Sequence, residues 1–380
     1  MVAKHLAFVS SIPFDWGGSE ELWAASAAHL LERGYRVSIF KDRKKGPHQR
    51  LRSLMDQGAK WETPRGYELP RSRCVLNRLL PGRSRFDGIS YHARRLVELQ
   101  PDLVVISQGW NADGLVWATA CRQAGIPYAL ISHQANLRGW PGDNEIEPVS
   151  AMHLNAVGSF YVAQRLWERT EEMIGQRIPR GEIVRNPYNV DVAEGLPWPS
   201  MQDGLRLACV GRFEFKDKGQ DLLVRVMGRE RWRDRPISVS FYGAGINEEG
   251  LRRLISFCRA EGCRIVGHEP DVASIWQKHH GLILPSREEG LPLVVVEAML
   301  CGRPSIVTNI VGNAELLDDG ETGFVCPAPN ADLIDETLER AWNERARWEA
   351  MGAAAATAVR SRVPRDPGRV FAERLESFLV

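Results

Sequence analysis

A chain of 380 residues exceeds one typical domain and suits two. Its 44% apolar and 26% charged residues are those of a soluble globular protein, and 49 basic against 48 acidic residues leave no basic excess for binding nucleic acid. The seven cysteines, at 74, 121, 209, 258, 263, 301 and 326, form no C-x-x-C pair, so they read as reduced, mostly buried thiols rather than a zinc or redox motif.

The first ten residues hold too short an apolar stretch for a signal peptide, and no run of about 18 apolar residues occurs. The expected compartment is the cytoplasm. Apolar runs at 6–10, 37–40, 103–107 and 128–132 read as strands, and 20–33, 89–100 and 115–124 carry helical periodicity. Strands apolar on both faces and separated by helices imply a parallel sheet covered on both sides. Residues 186–204 hold three prolines and two glycines without periodicity and read as an interdomain connection. The alternation then restarts, with strands expected at 205–210, 238–242, 264–266, 281–285 and 305–307. Helices are expected at 221–227, 248–259, 272–277, 292–300 and 331–343. The fold class is thus α/β, with two doubly wound domains at 1–186 and 187–365. A last amphipathic stretch, about 366–380, suits either domain and is grouped with the first. A cleft between two such domains is the expected ligand site.

The most informative segment is Pro285-Ser286-Arg287-Glu288-Glu289-Gly290-Leu291-Pro292-Leu293, continuing to Glu297 and Met299. A buried strand runs into a loop with two acids and a glycine, and a helix opens with Pro292 near its first turn. Such a loop, at the carboxyl end of a parallel strand, favours a phosphate or a polyhydroxylated group. Glu289 falls in the loop and Glu297 eight residues later, two turns into the expected helix. A carboxylate there accepts hydrogen bonds from neighbouring hydroxyls, as on a ribose or a hexose.

This segment resembles the retaining family 4 (group 1) glycosyltransferases of the GT-B fold. The match includes the Glu-x7-Glu spacing, Cys301-Gly302-Arg303-Pro304, and Val311-Gly312-Asn313-Ala314-Glu315 with Gly320 and Gly323. It covers nearly all of 205–345 and only scattered points before that. The resemblance implies two Rossmann-like domains facing a central cleft, a nucleoside-diphosphate sugar as co-substrate, no cofactor and no metal. It also implies that Glu297 binds the donor's ribose hydroxyls and that Glu289 lies against the transferred sugar. Gly290, Leu291 and Leu293 are counted with the same donor site.

A second segment, Val210-Gly211-Arg212-Phe213-Glu214-Phe215-Lys216-Asp217-Lys218-Gly219, follows the first strand of the second domain. Arg212 is suited to gripping a diphosphate bidentately, and Lys218 adds a second positive charge. The resemblance assigns an Arg and a Lys-Gly of this loop to the diphosphate, matched by Arg212 and Lys218-Gly219. Lys216 is a further candidate for the same role. In the first domain, Gly17 and Gly18 in Asp15-Trp16-Gly17-Gly18-Ser19-Glu20 let the backbone approach a ligand closely, with Ser19 as a helix cap. The resemblance places this loop near the diphosphate and acceptor, and His133, at a strand end, near the donor sugar. The catalytic candidates are therefore Arg212, Lys218, Glu289 and His133.

Gly243-Ala244-Gly245 follows a strand, yet Glu248 occupies the place of the third glycine of a dinucleotide fingerprint. No phosphate-binding G-x-x-x-x-G-K-[ST] or hydrolase G-x-S-x-G occurs. Arg65, Arg71, Arg73, Arg78, Arg83 and Arg85 crowd one stretch, read as a solvated loop or as a lid touching an anionic acceptor or membrane surface. Trp140-Pro141-Gly142-Asp143 is a further acceptor-side candidate. The expected function is transfer of a hexose-type sugar from a UDP or GDP sugar to a glycan, lipid-linked or small-molecule acceptor, with retention and without metal. Two alternatives stay open: an epimerase or phosphorylase on the same fold, and a non-catalytic nucleotide-sugar or glycan-binding protein.

Overall fold

The computed structural model describes residues 3–12, 16–41, 46–62, 88–135, 140–191 and 195–379, with backbone only at 88–92. These residues form two compact units, Met1–Pro187 with Asp366–Val380, and Tyr188–Arg365.

The first unit is built on a parallel sheet of β1 (His5–Ser10), β2 (Arg36–Phe40), β3 (Lys60–Trp61), β4 (Leu103–Trp110), β5 (Tyr128–Gln134), β6 (Gly158–Tyr161) and β7 (Gly181–Ile183), in the order β3-β2-β1-β4-β5-β6-β7. The order reverses between β1 and β4, the switch point outside whose carboxyl ends doubly wound sheets bind ligands. Unbroken apolar runs make the central strands buried on both faces, with Leu6, Phe8, Val105 and Ile131 at most 1% exposed. β4 continues to Trp110, beyond the apolar run, because its polar end Gln108–Trp110 still pairs with β5. β3, β6 and β7 have no counterpart among the strands expected from the sequence; β3 and β7 are only 2 and 3 residues long. Helices Asp143–Leu154 and Gln164–Ile174 fill the stretch before the second unit.

The helix Pro367–Glu376 packs on the helix Gly18–Glu32 of this first unit. Asp366 caps it by accepting from Arg369 N (2.9 Å), and Pro367 suits its first turn. Gly368 lets the two backbones approach, and its carbonyl accepts from Ser26 Oγ at 3.0 Å. Phe371 and Leu375 are buried against the core, each contributing about 2 kcal/mol by area burial.

The second unit repeats the plan with β8 (Leu205–Val210), β9 (Ile237–Tyr242), β10 (Cys263–Gly267), β11 (Gly281–Leu284), β12 (Ser305–Thr308) and β13 (Gly323–Cys326), ordered β10-β9-β8-β11-β12-β13 and all parallel. Residues 195–200 have no regular structure, yet they are fixed to this unit. Arg303, 1% exposed, donates to Pro197 O (2.7 Å), Trp276 O and His279 O (both 2.9 Å) and lies over the Trp198 ring. The guanidinium satisfies these carbonyls, while its own burial away from water lowers its pKa to about 10. The six described cysteines are unbonded, and five of them are buried.

Candidate active site

The carboxyl ends of β8, β9 and β10 are laced together by backbone hydrogen bonds. Gly211 N donates to Tyr242 O (2.9 Å) and Gly243 N to Gly267 O (2.8 Å). Gly243 has φ +137°, and a Cβ there would lie 2.0 Å from Gly211 O. The glycine is thus required by loop-on-loop packing. Phe213, fully buried, anchors the loop that carries Arg212. The Arg212 side chain is half exposed and pairs with Glu214 at 3.0 Å. Its backbone carbonyl is held by Gln220 Nε2 at 2.7 Å.

Lys218 ends the one-turn helix Phe215–Lys218, and Gly219 terminates that turn at φ +66°. The Lys218 ammonium reaches Glu289 Oε1 at 2.6 Å. The same oxygen accepts from Ser286 Oγ at 2.8 Å, and Ser286 O accepts in turn from Thr308 Oγ1 at 2.6 Å. Glu289 is only 7% exposed, so its charge is compensated locally by a cation and a hydroxyl. Gly290 and Leu291 continue the buried loop, and Leu293 is half-buried.

The helix after this loop is Leu293–Leu300, not 292–300. Pro292, at ψ 125°, is its extended N-cap rather than its first residue. Glu297 is therefore the fifth residue, little more than one turn in, where the sequence suggests two turns. Its carboxylate is 4% exposed and accepts from Asn189 N (3.1 Å) and Asn189 Nδ2 (3.3 Å). Burial raises the carboxyl pKa above the usual range, and the two Asn189 hydrogen bonds oppose that rise only in part. A buried acid whose pKa is raised makes Glu297 a candidate functional group.

At the carboxyl edge of the first unit, Gly17 and Gly18 are both exposed, and Gly17 is the N-cap of the helix Gly18–Glu32. No side chain caps this helix, so Ser19 does not serve as the cap expected from the sequence. Glu20, in its first turn, is fully buried and accepts from Lys41 Nζ (2.9 Å), Ser10 Oγ (2.8 Å) and Trp23 Nε1 (2.5 Å). His133 is buried at the end of β5, with Nε2 3.3 Å from Ser107 Oγ and no partner for Nδ1 among the described residues. Burial lowers its pKa to about 3, so His133 is neutral at physiological pH and acts as a hydrogen-bonding group, not a cation. Trp140 is exposed with the Arg169 guanidinium over its ring.

The geometry brings Lys218, Glu289 and Gly290 together directly, with Arg212 tied to their neighbour Gln220. Glu297 follows one turn along the adjoining helix. Gly17, Gly18 and His133 belong to the first unit. The Arg65–Arg85 cluster lies outside the described residues. Among the described residues no group of three or more His, Cys, Asp or Glu side chains is arranged to hold a metal ion, and no helix is long and apolar enough to cross a membrane. The sequence reading gives no role to Asn189, Ser286, Asp221 or the Lys41–Glu20 pair. Ser286 stands inside a quoted motif and Asp221 two residues beyond another, whereas Asn189 lies in the apparent linker and Lys41 outside any motif.

Residues 204–344 match the family described as Glycosyl transferases group 1. Over these residues the chain is similar to the group 1 glycosyltransferases, and together with its full-length relatives this supports a group 1 glycosyltransferase. It is 26% identical over 384 residues to a GDP-mannose-dependent alpha-(1-6)-phosphatidylinositol monomannoside mannosyltransferase of Mycobacterium tuberculosis, covering 93% of this chain and 92% of that one. It is 25% identical to an exopolysaccharide phosphotransferase of Streptomyces coelicolor, covering 89% of this chain but spanning only 37% of that protein. The crystal structure of Anabaena HepE in complex with UDP and glucose superimposes with a TM-score of 0.72 at 17% identity, covering 98% of this chain and all of the other. That likeness shows the fold, the GT-B architecture of two Rossmann-like domains.

Proposed function

We propose that this glycosyltransferase moves a hexose-type sugar from a UDP or GDP sugar to a glycan, lipid-linked or small-molecule acceptor, with retention and without a metal ion. The observation that carries the reading is the Lys218–Glu289 contact of 2.6 Å at the carboxyl end of β11, one helix turn from the buried Glu297. Glu297 takes the ribose hydroxyls, and Glu289 orients the sugar. Arg212 and Lys218 neutralise the diphosphate as it leaves, which is electrostatic stabilisation of the departing group. The anomeric carbon–oxygen bond breaks with its electron pair passing to the β-phosphate oxygen. The acceptor hydroxyl bonds to the same face, and its proton passes to that phosphate oxygen. His133, being neutral, is assigned a hydrogen bond to a sugar hydroxyl. The relatives support a nucleotide sugar: GDP-mannose for the mycobacterial enzyme, and UDP with glucose for the Anabaena protein.

A thermal-shift screen with UDP, GDP and ADP, and with their common sugars, tests this directly. Specific stabilisation by one diphosphate and its sugar, persisting in excess EDTA, is the expected result. A chain that binds none of them removes the donor reading. Binding with interconversion or phosphorolysis of the sugar, or with no turnover at all, favours the epimerase, phosphorylase or binding-protein alternatives.

A further inference from the structure

The helix Phe215–Lys218 has four residues, too few to be stable by itself, yet it carries the cation on which the site depends. What holds it comes from the loop after β11. Arg287 Nη1 donates to Phe215 O at 2.5 Å, while Arg287 N and Glu288 N donate to Asp217 O at 2.7 and 3.0 Å. The same guanidinium forms a bidentate bridge to both oxygens of Asp221, at 2.6 and 2.9 Å, at the start of the helix Gln220–Met227. Gly219 packs so closely on Pro285 that a Cβ would lie 2.0 Å from its carbonyl oxygen. The segment bearing Lys218 is therefore bolted on both of its sides to the segment bearing Glu289.

We propose that Arg287, with Asp221 as its counter-ion, is a positioning residue that sets the register between Lys218 and Glu289. It touches no substrate. Its planar fork bridges a carboxylate and a helix carbonyl at once, which a lysine ammonium does not reproduce. The inference rests on the donor reading above. Because Glu289 faces the sugar, the cation it contacts is the one nearest the sugar-bearing β-phosphate. Loss of Arg287 should therefore be felt at the β-phosphate and not at the nucleoside.

The test is calorimetry on the full chain with UDP or GDP, whichever the wild type binds, against the matching monophosphate. Arg287→Lys, Lys218→Ala and the double variant are compared, with Asp221→Asn as a milder disruption of the same bridge. The expected result is a loss of diphosphate affinity of about tenfold or more in Arg287→Lys, since misplacing a binding group by about 1 Å costs up to ~100-fold. Monophosphate affinity stays at the wild-type level, and the double variant is little worse than Lys218→Ala, as expected when two residues act as one unit. Equal losses for both nucleotides, or additive losses in the double variant, overturn the proposal and leave Arg287 as a structural brace. If Arg287→Lys does not fold, Asp221→Asn is judged by the same two criteria. A wild type that binds neither nucleotide is a failure of the donor reading itself, seen before any variant is compared.

Discussion

Each unit has a lysine–glutamate pair near the carboxyl edge of its sheet, and the two pairs differ in access to water. Lys41 and Glu20 meet at 2.9 Å with side chains 3% and 0% exposed. Lys218 and Glu289 meet at 2.6 Å with side chains 20% and 7% exposed. The first pair is sealed, its glutamate also gripped by Ser10 and Trp23, so it has nothing to offer a ligand. What it does is fix the first turn of the helix behind Gly17 and Gly18. The second pair keeps part of its ammonium in solvent, and a diphosphate can take over that charge. The same two side-chain types thus serve shape in one unit and, in the proposed reading, binding in the other, where the cation is more exposed.

Breaking the sealed pair should give the largest effect. Lys41→Met strands a buried carboxylate and should destabilise the first unit by about 3–5 kcal/mol, with much of the loss recovered by adding Glu20→Gln. Hydrogen exchange would show this as reduced protection in β1 and the helix Gly18–Glu32, with β8 to β13 unchanged. Full protection in Lys41→Met would sink the comparison.

The open site should respond the opposite way. Glu297→Gln keeps an acceptor for Asn189 but removes a charge whose burial raises its pKa. A raised folded pKa means that the ionised group costs stability at neutral pH, a cost absent below its unfolded value. The variant should melt at or above the wild-type temperature while losing roughly 10- to 100-fold in nucleotide-diphosphate affinity, as for a hydrogen-bonded charged contact. A fall in melting temperature together with unchanged affinity would assign Glu297 to structure.

The most gradual effect is in pH dependence. His133 has a folded pKa of about 3, below its unfolded value, so the unfolded chain takes up the proton first as pH falls below about 6.5. Stability is therefore full above that value and declines as pH drops toward 3, by at most ~1.4 kcal/mol per pH unit for this one group. His133→Asn should flatten that slope, as read from urea titrations of the first unit between pH 6.5 and 4. An unchanged slope would mean that His133 is not the group held neutral.

The fold is legible in the sequence wherever burial is two-sided, because strands such as 103–107 and 281–285 are then unbroken apolar runs. It is not legible where an element exists through pairing alone. β3 and β7 are too short to carry a pattern, and Pro148 inside the helix Asp143–Leu154 obscures that helix. The alanine-rich helix Trp348–Arg362 lacks a marked apolar stripe and is also absent from the sequence reading. Lys218, Glu289 and Glu297 stand out because strand, loop and helix surround them in order. Arg287 and Asn189 act on partners 66 and 108 residues away, so no local spacing announces them.

The chain leaves the first unit at Pro187 and returns to it only at Asp366. During synthesis, the second unit has all of its residues before the first does. The helix Gly18–Glu32 emerges early but must wait for Phe371, Ala372 and Leu375 to cover it. Premature termination between 365 and 371 would therefore leave the second unit complete and the first with an uncovered apolar face. Such a truncated chain would be a target for chaperones rather than a weaker enzyme.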